Sequence, residues 1–187
     1  MKVIFMLIIC FSSFYNFEIY SQIRYENSNQ NTQIEIIDID QLEKKIKESN
    51  KKYKIIFYIS KSCSSSIMFF PKIIELINNH SDIVELYPII GDRLSEITEY
   101  EAYLKHIQYF NTVFILDTEK YGNKKNPFKR LDILTQKLCL ECEYKKMGFS
   151  SFFVINDYSQ VILHNNWTIP HKERYLKLKK ILENHND

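Results

Sequence analysis

The chain has 187 residues, 45% of them hydrophobic, and these values predict a globular protein with a sizeable core rather than a disordered chain. Its 25 Lys and Arg residues nearly balance 23 Asp and Glu residues, and the resulting net charge of +2 argues against nucleic acid as the main partner. Only three glycines occur, which excludes a Gly-rich phosphate-binding loop.

Residues 1–21 have the pattern of a secretory signal peptide. A positively charged start precedes a nearly continuous apolar run over 3–14, and the small residue Ser21 marks the predicted cleavage site. Because this run is short for a membrane span, an uncleaved membrane anchor is the second interpretation. A polar linker is predicted over 22–32, before a folded domain over 33–187. The predicted location is the periplasm or the cell exterior, with membrane contact only if the signal is retained.

The rest of the chain alternates between strand-like and helix-like segments. Apolar runs predict strands over 33–37, 53–60, 82–90, 112–116, 151–155 and 160–164, the last two as a hairpin. Helical patterns occur over 41–48, 63–79, 94–109, 128–145 and 170–185. Alternating strands and helices that end in a hairpin and a helix predict an α/β sandwich around a mixed sheet.

Cys63 lies at the turn between the second predicted strand and the helix that follows it. Backbone N–H groups and the helix dipole favour a thiolate at such a position. A Cys-x-x-Cys pair would need a cysteine at the position of Ser66, so the chain has an attacking thiol without a local resolving thiol. We expect Ser62 to cap the helix, Ser66 to bond the Cys63 sulfur and Lys61 to add positive charge. The alternative is an inert cysteine at the end of a core strand.

Cys139 and Cys142 form the only Cys-x-x-Cys pattern in the sequence. If the signal peptide is removed, the simplest arrangement is a local disulfide between them and a free Cys63. Both residues lie within the predicted helix over 128–145. The pair is interpreted as a structural disulfide or as a second redox pair that resolves Cys63. A zinc site would need two further ligands at suitable spacing, so neither a metal nor a cofactor is predicted.

The segments around Cys63 resemble the thioredoxin fold superfamily, and the likeness covers roughly residues 33–185. Pro71 follows Cys63 by eight residues, which is the spacing of the proline that kinks the family's active-site helix. The segment 147–155 is similar to the family's Gly-x-Pro-Thr motif and the strand after it, with Ser150 at the cis-proline position. The resemblance implies a thioredoxin-like three-layer sandwich, in which helices flank a central mixed β-sheet.

The chain departs from the family pattern at four positions. Ser62 replaces the usual Trp, Ser66 the resolving cysteine, Phe57 the buried acid and Ser150 the cis-proline. A trans bond is expected before Ser150, because a cis bond costs about 3 kcal/mol for a residue other than proline. The additional helix and strand within 80–147 resemble the TlpA-like and AhpC/TSA-type branches, whose members are commonly secreted or membrane-tethered thiol proteins.

The resemblance implies thiol–disulfide exchange with Cys63 as a monothiol nucleophile and Ser66 beside it. The implied partners are protein or small-molecule thiols and disulfides, and Ser62, Phe149 and Ser150 are expected to line the substrate groove. Because a lone thiol cannot release its mixed disulfide by itself, an external or distant thiol is needed. The alternative is a thioredoxin-fold binding or scaffold module whose redox site is inactive.

A peroxidase is a further hypothesis for the same cysteine. Peroxiredoxins carry Pro-x-x-x-Thr-x-x-Cys, and here Ser60 occupies the Thr position while Ile56 occupies the Pro position. Such an enzyme also brings an arginine from later in the chain to the thiol, and Arg130 and Arg174 are the candidates.

Overall fold

The computed structural model describes residues 32–121 and 127–184, without the side chain of Pro127. The predicted signal peptide and nearly all of the predicted linker lie outside the described residues. Within the described residues, no helix is both long enough and apolar enough to cross a membrane.

Strands and helices alternate along the described chain. The strands are β1 (Ile34–Ile37), β2 (Tyr53–Ile59), β3 (Val84–Ile90), β4 (Val113–Leu116), β5 (Phe152–Asn156) and β6 (Val161–His164). The α-helices are α1 (Ile39–Glu48), α2 (Ser64–Asn78), α3 (Ile97–His106), α4 (Thr118–Tyr121), α5 (Pro127–Leu138) and α6 (His171–Glu183). Single turns of 3-10 helix occur at Leu94–Glu96 and Tyr144–Lys146.

The described strands form one mixed sheet in the order β1-β4-β3-β2-β5-β6. The first four of these run parallel, whereas β5 pairs antiparallel with β2 and β6 antiparallel with β5. Phe57 of β2 is in register with Phe152 of β5. The carboxyl ends of β2 and β3 therefore share an edge of the sheet with the amino end of β5, and residues beyond these ends meet there.

Helices cover both faces of the sheet. Ile55, Phe57 and Ile59 of β2 face a core formed with α2, α3 and α6. Ile56 and Tyr58 face a second core formed with α1 and α5. Every residue of β2 is buried, as a strand covered by helices on both sides requires. The predicted three-layer α/β sandwich around a mixed sheet is confirmed.

The single helix predicted over 128–145 is wrong. Helix α5 ends at Leu138, and Cys139 and Cys142 lie in the turn that follows, where the Cys142 N–H donates to the Cys139 carbonyl at 3.1 Å. This turn bends the chain back toward β5 while both cysteines stay buried, which a straight helix would not do. Gly148 lies between the second 3-10 turn and β5.

Candidate functional site

Cys63 lies where β2 ends and is the N-cap residue of α2. The backbone N–H groups of Ser66 and Ile67 donate to the Cys63 carbonyl oxygen at 2.9 and 3.1 Å and so open the helix. The Cys63 side chain makes no capping bond, and its thiol is free and partly exposed. This position places the sulfur near the positive end of the helix dipole.

Ser150 is brought to the same edge of the sheet by the antiparallel pairing of β2 and β5. Its N–H donates to the Tyr58 carbonyl at 2.8 Å, and the Tyr58 N–H donates to the Ser151 carbonyl at 2.9 Å. Ser150 has a φ of 69°, in the left-handed region, and the described residues contain no cis peptide bond. The trans bond expected before Ser150 is therefore present, and a left-handed turn presents this residue at the sheet edge.

Arg174 of α6 is buried at this edge, with 2% of its surface exposed. Its Nη1 donates to the Ser150 carbonyl at 2.6 Å and to the Ser150 Oγ at 3.2 Å, and its guanidinium lies 5.1 Å from the centre of the Phe69 ring. Its Nε has no partner among the described residues. Burial lowers the pKa of Arg174 to about 10, while negative charge on the nearby Cys63 sulfur raises it. The guanidinium and a Cys63 thiolate therefore attract each other.

His171, in the first turn of α6, joins α2 to the Ser150 turn. Its Nε2 forms a hydrogen bond of 2.7 Å with Ser65 Oγ and lies 3.5 Å from Ser150 Oγ. The imidazole stacks on the Phe69 ring with centroids 4.5 Å apart. Burial, followed by the charges of Arg174 and Lys72, lowers the pKa of His171, so the ring is neutral at physiological pH.

Asp92, just beyond β3, holds the turn that leads to Cys63. Its carboxylate accepts hydrogen bonds from Ser60 Oγ (2.8 Å), Ser62 Oγ (3.2 Å), the Lys61 N–H (2.9 Å) and the Tyr100 hydroxyl. Burial and the Asp92 charge raise the pKa of Tyr100, which keeps its hydroxyl protonated as a donor. This carboxylate is 5% exposed, and its donors compensate the cost of burying it.

Arg130 of α5 reaches the end of β3 from the other face of the sheet. Its Nη2 donates to the carbonyl oxygens of Gly91 and Asp92, at 3.2 and 2.6 Å. Its Nε and Nη1 have no partner among the described residues. Burial lowers the pKa of Arg130, and the Asp92 charge acts in the opposite direction. Arg130 thus supports the strand end that carries Asp92.

Solved structures with the same architecture are found by comparison. A thioredoxin-like protein in the oxidized form matches with a TM-score of 0.51 and 12% identity, over 79% of this chain and 84% of that chain. A thiol:disulfide interchange protein from Bacteroides sp. matches with a TM-score of 0.50 and 12% identity, over 73% of this chain and 77% of that chain. No protein-family model and no curated protein matches.

The chain has a thioredoxin-like fold. In this fold the edge that carries Cys63 is built from three separate parts of the chain: the end of β2, the end of β3 and the turn before β5. Arg174 and His171 are added to it by α6. The thioredoxin-like arrangement therefore gathers the free Cys63 thiol, the buried Arg174 guanidinium, the His171 imidazole and the buried Asp92 carboxylate at a single sheet edge, with Arg130 supporting the end of β3.

Three expectations for side chains in the Cys63 turn are wrong. Ser62 does not cap α2, because its hydroxyl bonds Ser60 Oγ (2.7 Å) and Asp92. The Ser66 hydroxyl is directed toward β2, where it accepts from the Ser60 N–H at 3.1 Å, and it does not bond the Cys63 sulfur. Its buried position on the inner side of the first helical turn explains this direction.

The charge of Lys61 is not available to Cys63. The Lys61 Nζ pairs with Glu99 and lies 3.7 Å from Glu96. The hydrogen bond from Lys61 to Glu99, together with nearby acidic charges, raises the pKa of Lys61. Arg174, rather than Lys61, is the cation whose charge acts on the sulfur.

Phe149, expected to line a groove beside Cys63, packs at the end of β3. A Cβ atom on Gly91 would lie 2.1 Å from Phe149 Cε1, so only a glycine leaves room for the ring. The ring also packs against that of Phe128, with centroids 4.8 Å apart. Phe149 therefore packs between the end of β3 and α5.

Cys139 and Cys142 are joined by a disulfide bond. Both are buried in the core that α1 and α5 form on one face of the sheet, whereas α2 packs on the opposite face. The fold therefore does not bring this disulfide to Cys63. Within the described residues, no group of three or more His, Cys, Asp or Glu side chains is placed to hold a metal ion.

Sequence analysis missed the roles of His171 and Asp92, and it considered Arg174 only as a partner for peroxide chemistry. One signal was available for Arg174. It lies four and eight residues before Leu178 and Leu182, which are buried on the same face of α6. A charged residue in an apolar helical stripe indicates a buried polar contact.

Proposed function

We propose that this chain is a thiol–disulfide oxidoreductase of the TlpA-like or AhpC/TSA type that uses Cys63 as a monothiol nucleophile. The observation that carries the proposal is the pairing of a free, partly exposed thiol at the start of a 15-residue helix with the buried guanidinium of Arg174. Cationic neighbours and helix N-termini are the surroundings that activate cysteine thiolates in proteins. The unpartnered Nε of Arg174 supplies a further donor at this edge.

The proposed reaction is an exchange that conserves electrons. The Cys63 thiolate attacks one sulfur of a substrate disulfide, the substrate S–S bond breaks, and a mixed disulfide with Cys63 forms. The departing substrate sulfur leaves as a thiolate and takes a proton from solvent. A protein or small-molecule thiolate then attacks the mixed disulfide, forms a new disulfide with the bound substrate and returns Cys63 as a thiolate. This second thiol is external because position 66 is a serine whose hydroxyl is bonded to β2.

The proposed place of action is an oxidising compartment, either the periplasm or the cell exterior. The disulfide between Cys139 and Cys142 supports this location, because such bonds persist in oxidising compartments and are rare in the cytosol. The signal peptide predicted for residues 1–21 is consistent with it.

The test is the rate at which iodoacetamide alkylates Cys63 at pH 7 in the purified protein, kept under non-reducing conditions. A synthetic peptide of residues 58–68 provides the rate of the same thiol without the fold, and mass spectrometry assigns the label to Cys63. We expect the folded thiol to react about tenfold faster than the peptide, since activated cysteines have a larger thiolate fraction. Slower reaction than in the peptide would overturn the proposal and favour a redox-inactive binding or scaffold module.

A further inference from the structure

A groove of about 560 Å³ runs between α2 and α6. Its lining residues are Phe69, Lys72 and Glu75 from α2 and His171, Lys172 and Tyr175 from α6. The Phe69 ring is buried beneath the stacked His171 imidazole, so the partly exposed rings of His171 and Tyr175 form the aromatic wall of the groove. Such a surface suits an apolar side chain of a ligand.

The groove begins at the candidate active site. His171 lines the groove and also bonds Ser65, two residues after Cys63, at 2.7 Å. The same imidazole nitrogen lies 3.5 Å from Ser150 Oγ, in the turn before β5. A substrate attached to the Cys63 sulfur therefore has this groove directly beside it.

The part of the groove nearer to Cys63 is positively charged. Lys72 and Lys172 are exposed and have no ion-pair partner in the described part of the chain. Arg174 lies against the Phe69 ring. Burial, Arg174 and Lys72 together lower the pKa of His171, so the imidazole adds no positive charge of its own. Glu75 is the acidic residue in the groove, and it lies about one helical turn further from Cys63 than Lys72.

The spacing between Cys63 and Lys72 along α2 sets the size of the ligand. Lys72 is nine positions after Cys63, and at 1.5 Å per residue the helix rises about 13.5 Å between them. An extended chain covers that distance in about four residues, at about 3.3 Å each. The carboxylates of a small thiol compound lie only a few bonds from its sulfur, so a peptide segment fits this spacing better.

We propose that the groove binds an extended segment of a disulfide-bonded protein substrate. An acidic residue about four positions from the attacked cysteine contacts Lys72 and Lys172, and an apolar side chain between that residue and the cysteine packs on the rings of His171 and Tyr175. This inference rests on the proposed function, because it names the substrate class of the Cys63 site.

The experiment compares two peptides that carry one cysteine as a 2-pyridyl disulfide, a leucine two positions away, and either Glu or Lys four positions away. Each peptide is made with the charge on either side of the cysteine, and release of 2-thiopyridone gives the rate of attack by Cys63. Of the two Glu peptides, we expect the faster one to react about fivefold to tenfold faster than the Lys peptide with the charge at the same position. Two exposed ion pairs provide a difference in rate of about this size.

The double variant Lys72→Glu/Lys172→Glu is expected to remove or invert this preference, whereas Lys180→Glu, an exposed lysine of α6 outside the groove, leaves it unchanged. Bis(2-hydroxyethyl) disulfide, which is neutral, measures the intrinsic reactivity of Cys63 in each of the three proteins, and each peptide rate is divided by it. Equal rates for Glu and Lys peptides, with normal reaction of the neutral disulfide, would overturn the inference and leave the proposed function intact. No reaction with any disulfide would overturn both. If a small dianionic disulfide shows the same dependence on Lys72 and Lys172, a low-molecular-weight ligand replaces the peptide segment.

Discussion

The described part of the chain contains two cysteine sites whose surroundings differ. Cys63 is a partly exposed free thiol at the end of β2, next to a charged and incompletely bonded Arg174. Cys139 and Cys142 form a disulfide that is buried among apolar residues on the opposite face of the sheet from α2. A reactive cysteine needs access to solvent and a positively charged neighbour, and of these two sites Cys63 has both. This difference supports the proposal that Cys63, rather than the disulfide, carries the exchange chemistry.

The largest expected effect separates the two sites directly. Cys63→Ser should abolish mixed-disulfide formation with a 2-pyridyl disulfide, because the nucleophile is lost. Cys139→Ser/Cys142→Ser should keep the reaction while the free energy of unfolding falls by about 2 kcal/mol, as expected for a short disulfide loop. Thiopyridone release and urea denaturation measure the two quantities. Loss of exchange in the double variant would instead make the disulfide the redox pair.

The rigidity of the Cys63 turn provides the next test. The Asp92 carboxylate accepts hydrogen bonds from several donors, including the Lys61 N–H and the Tyr100 hydroxyl. Asp92→Asn replaces one of its oxygens with an NH2 group, which cannot accept these bonds. We expect the free energy of unfolding to fall by about 2 to 3 kcal/mol, since buried donors are left without a charged acceptor. Urea denaturation measures it, with Asp82→Asn, an exposed carboxylate, as the control. Equal stability of the two variants would contradict the role given to Asp92.

The positive charge of Arg174 can be removed while Cys63 itself is left unchanged. In Arg174→Met the rate of Cys63 alkylation by iodoacetamide at pH 7 should fall severalfold, because a cationic neighbour of the kind that activates cysteines is lost. Arg174→Lys should restore most of the wild-type rate, which a purely structural role would not predict. Arg93→Met, an exposed arginine beyond β3, is the control. An unchanged rate in Arg174→Met would show that the position of Cys63 at the start of α2 is sufficient.

Much of the fold could be predicted from local patterns, because strands buried on both faces and amphipathic helices are visible within short windows. The end of α5 could not, since the turn at Cys139 packs into a core whose other residues come from distant parts of the chain; the local disulfide between Cys139 and Cys142 was predicted from the sequence. The position of Cys63 was predictable from the segments on either side of it. Its partners were not, because Asp92 is 32 residues from Ser60 and Arg174 is 24 residues from Ser150. Those contacts follow from the order of the strands, which local periodicity does not specify.

The smallest expected effect concerns pH and the neutral imidazole at the active-site end of the groove. Burial, Arg174 and Lys72 lower the pKa of His171 in the folded protein from its ordinary value of 6.5. As the pH drops below 6.5, the unfolded chain binds a proton at this histidine that the folded chain does not bind, so the free energy of unfolding decreases. Well above pH 6.5 the ring is neutral in both states, and this loss of stability is absent. Urea midpoints at pH 7.5 and 5.5 should therefore differ less in His171→Gln than in the wild type. His106→Gln, an exposed histidine of α3, should keep the wild-type difference. If His171→Gln shows the same difference in urea midpoints as the wild type, the imidazole is charged in the folded protein. The groove near Cys63 then carries more positive charge than Lys72, Lys172 and Arg174 provide.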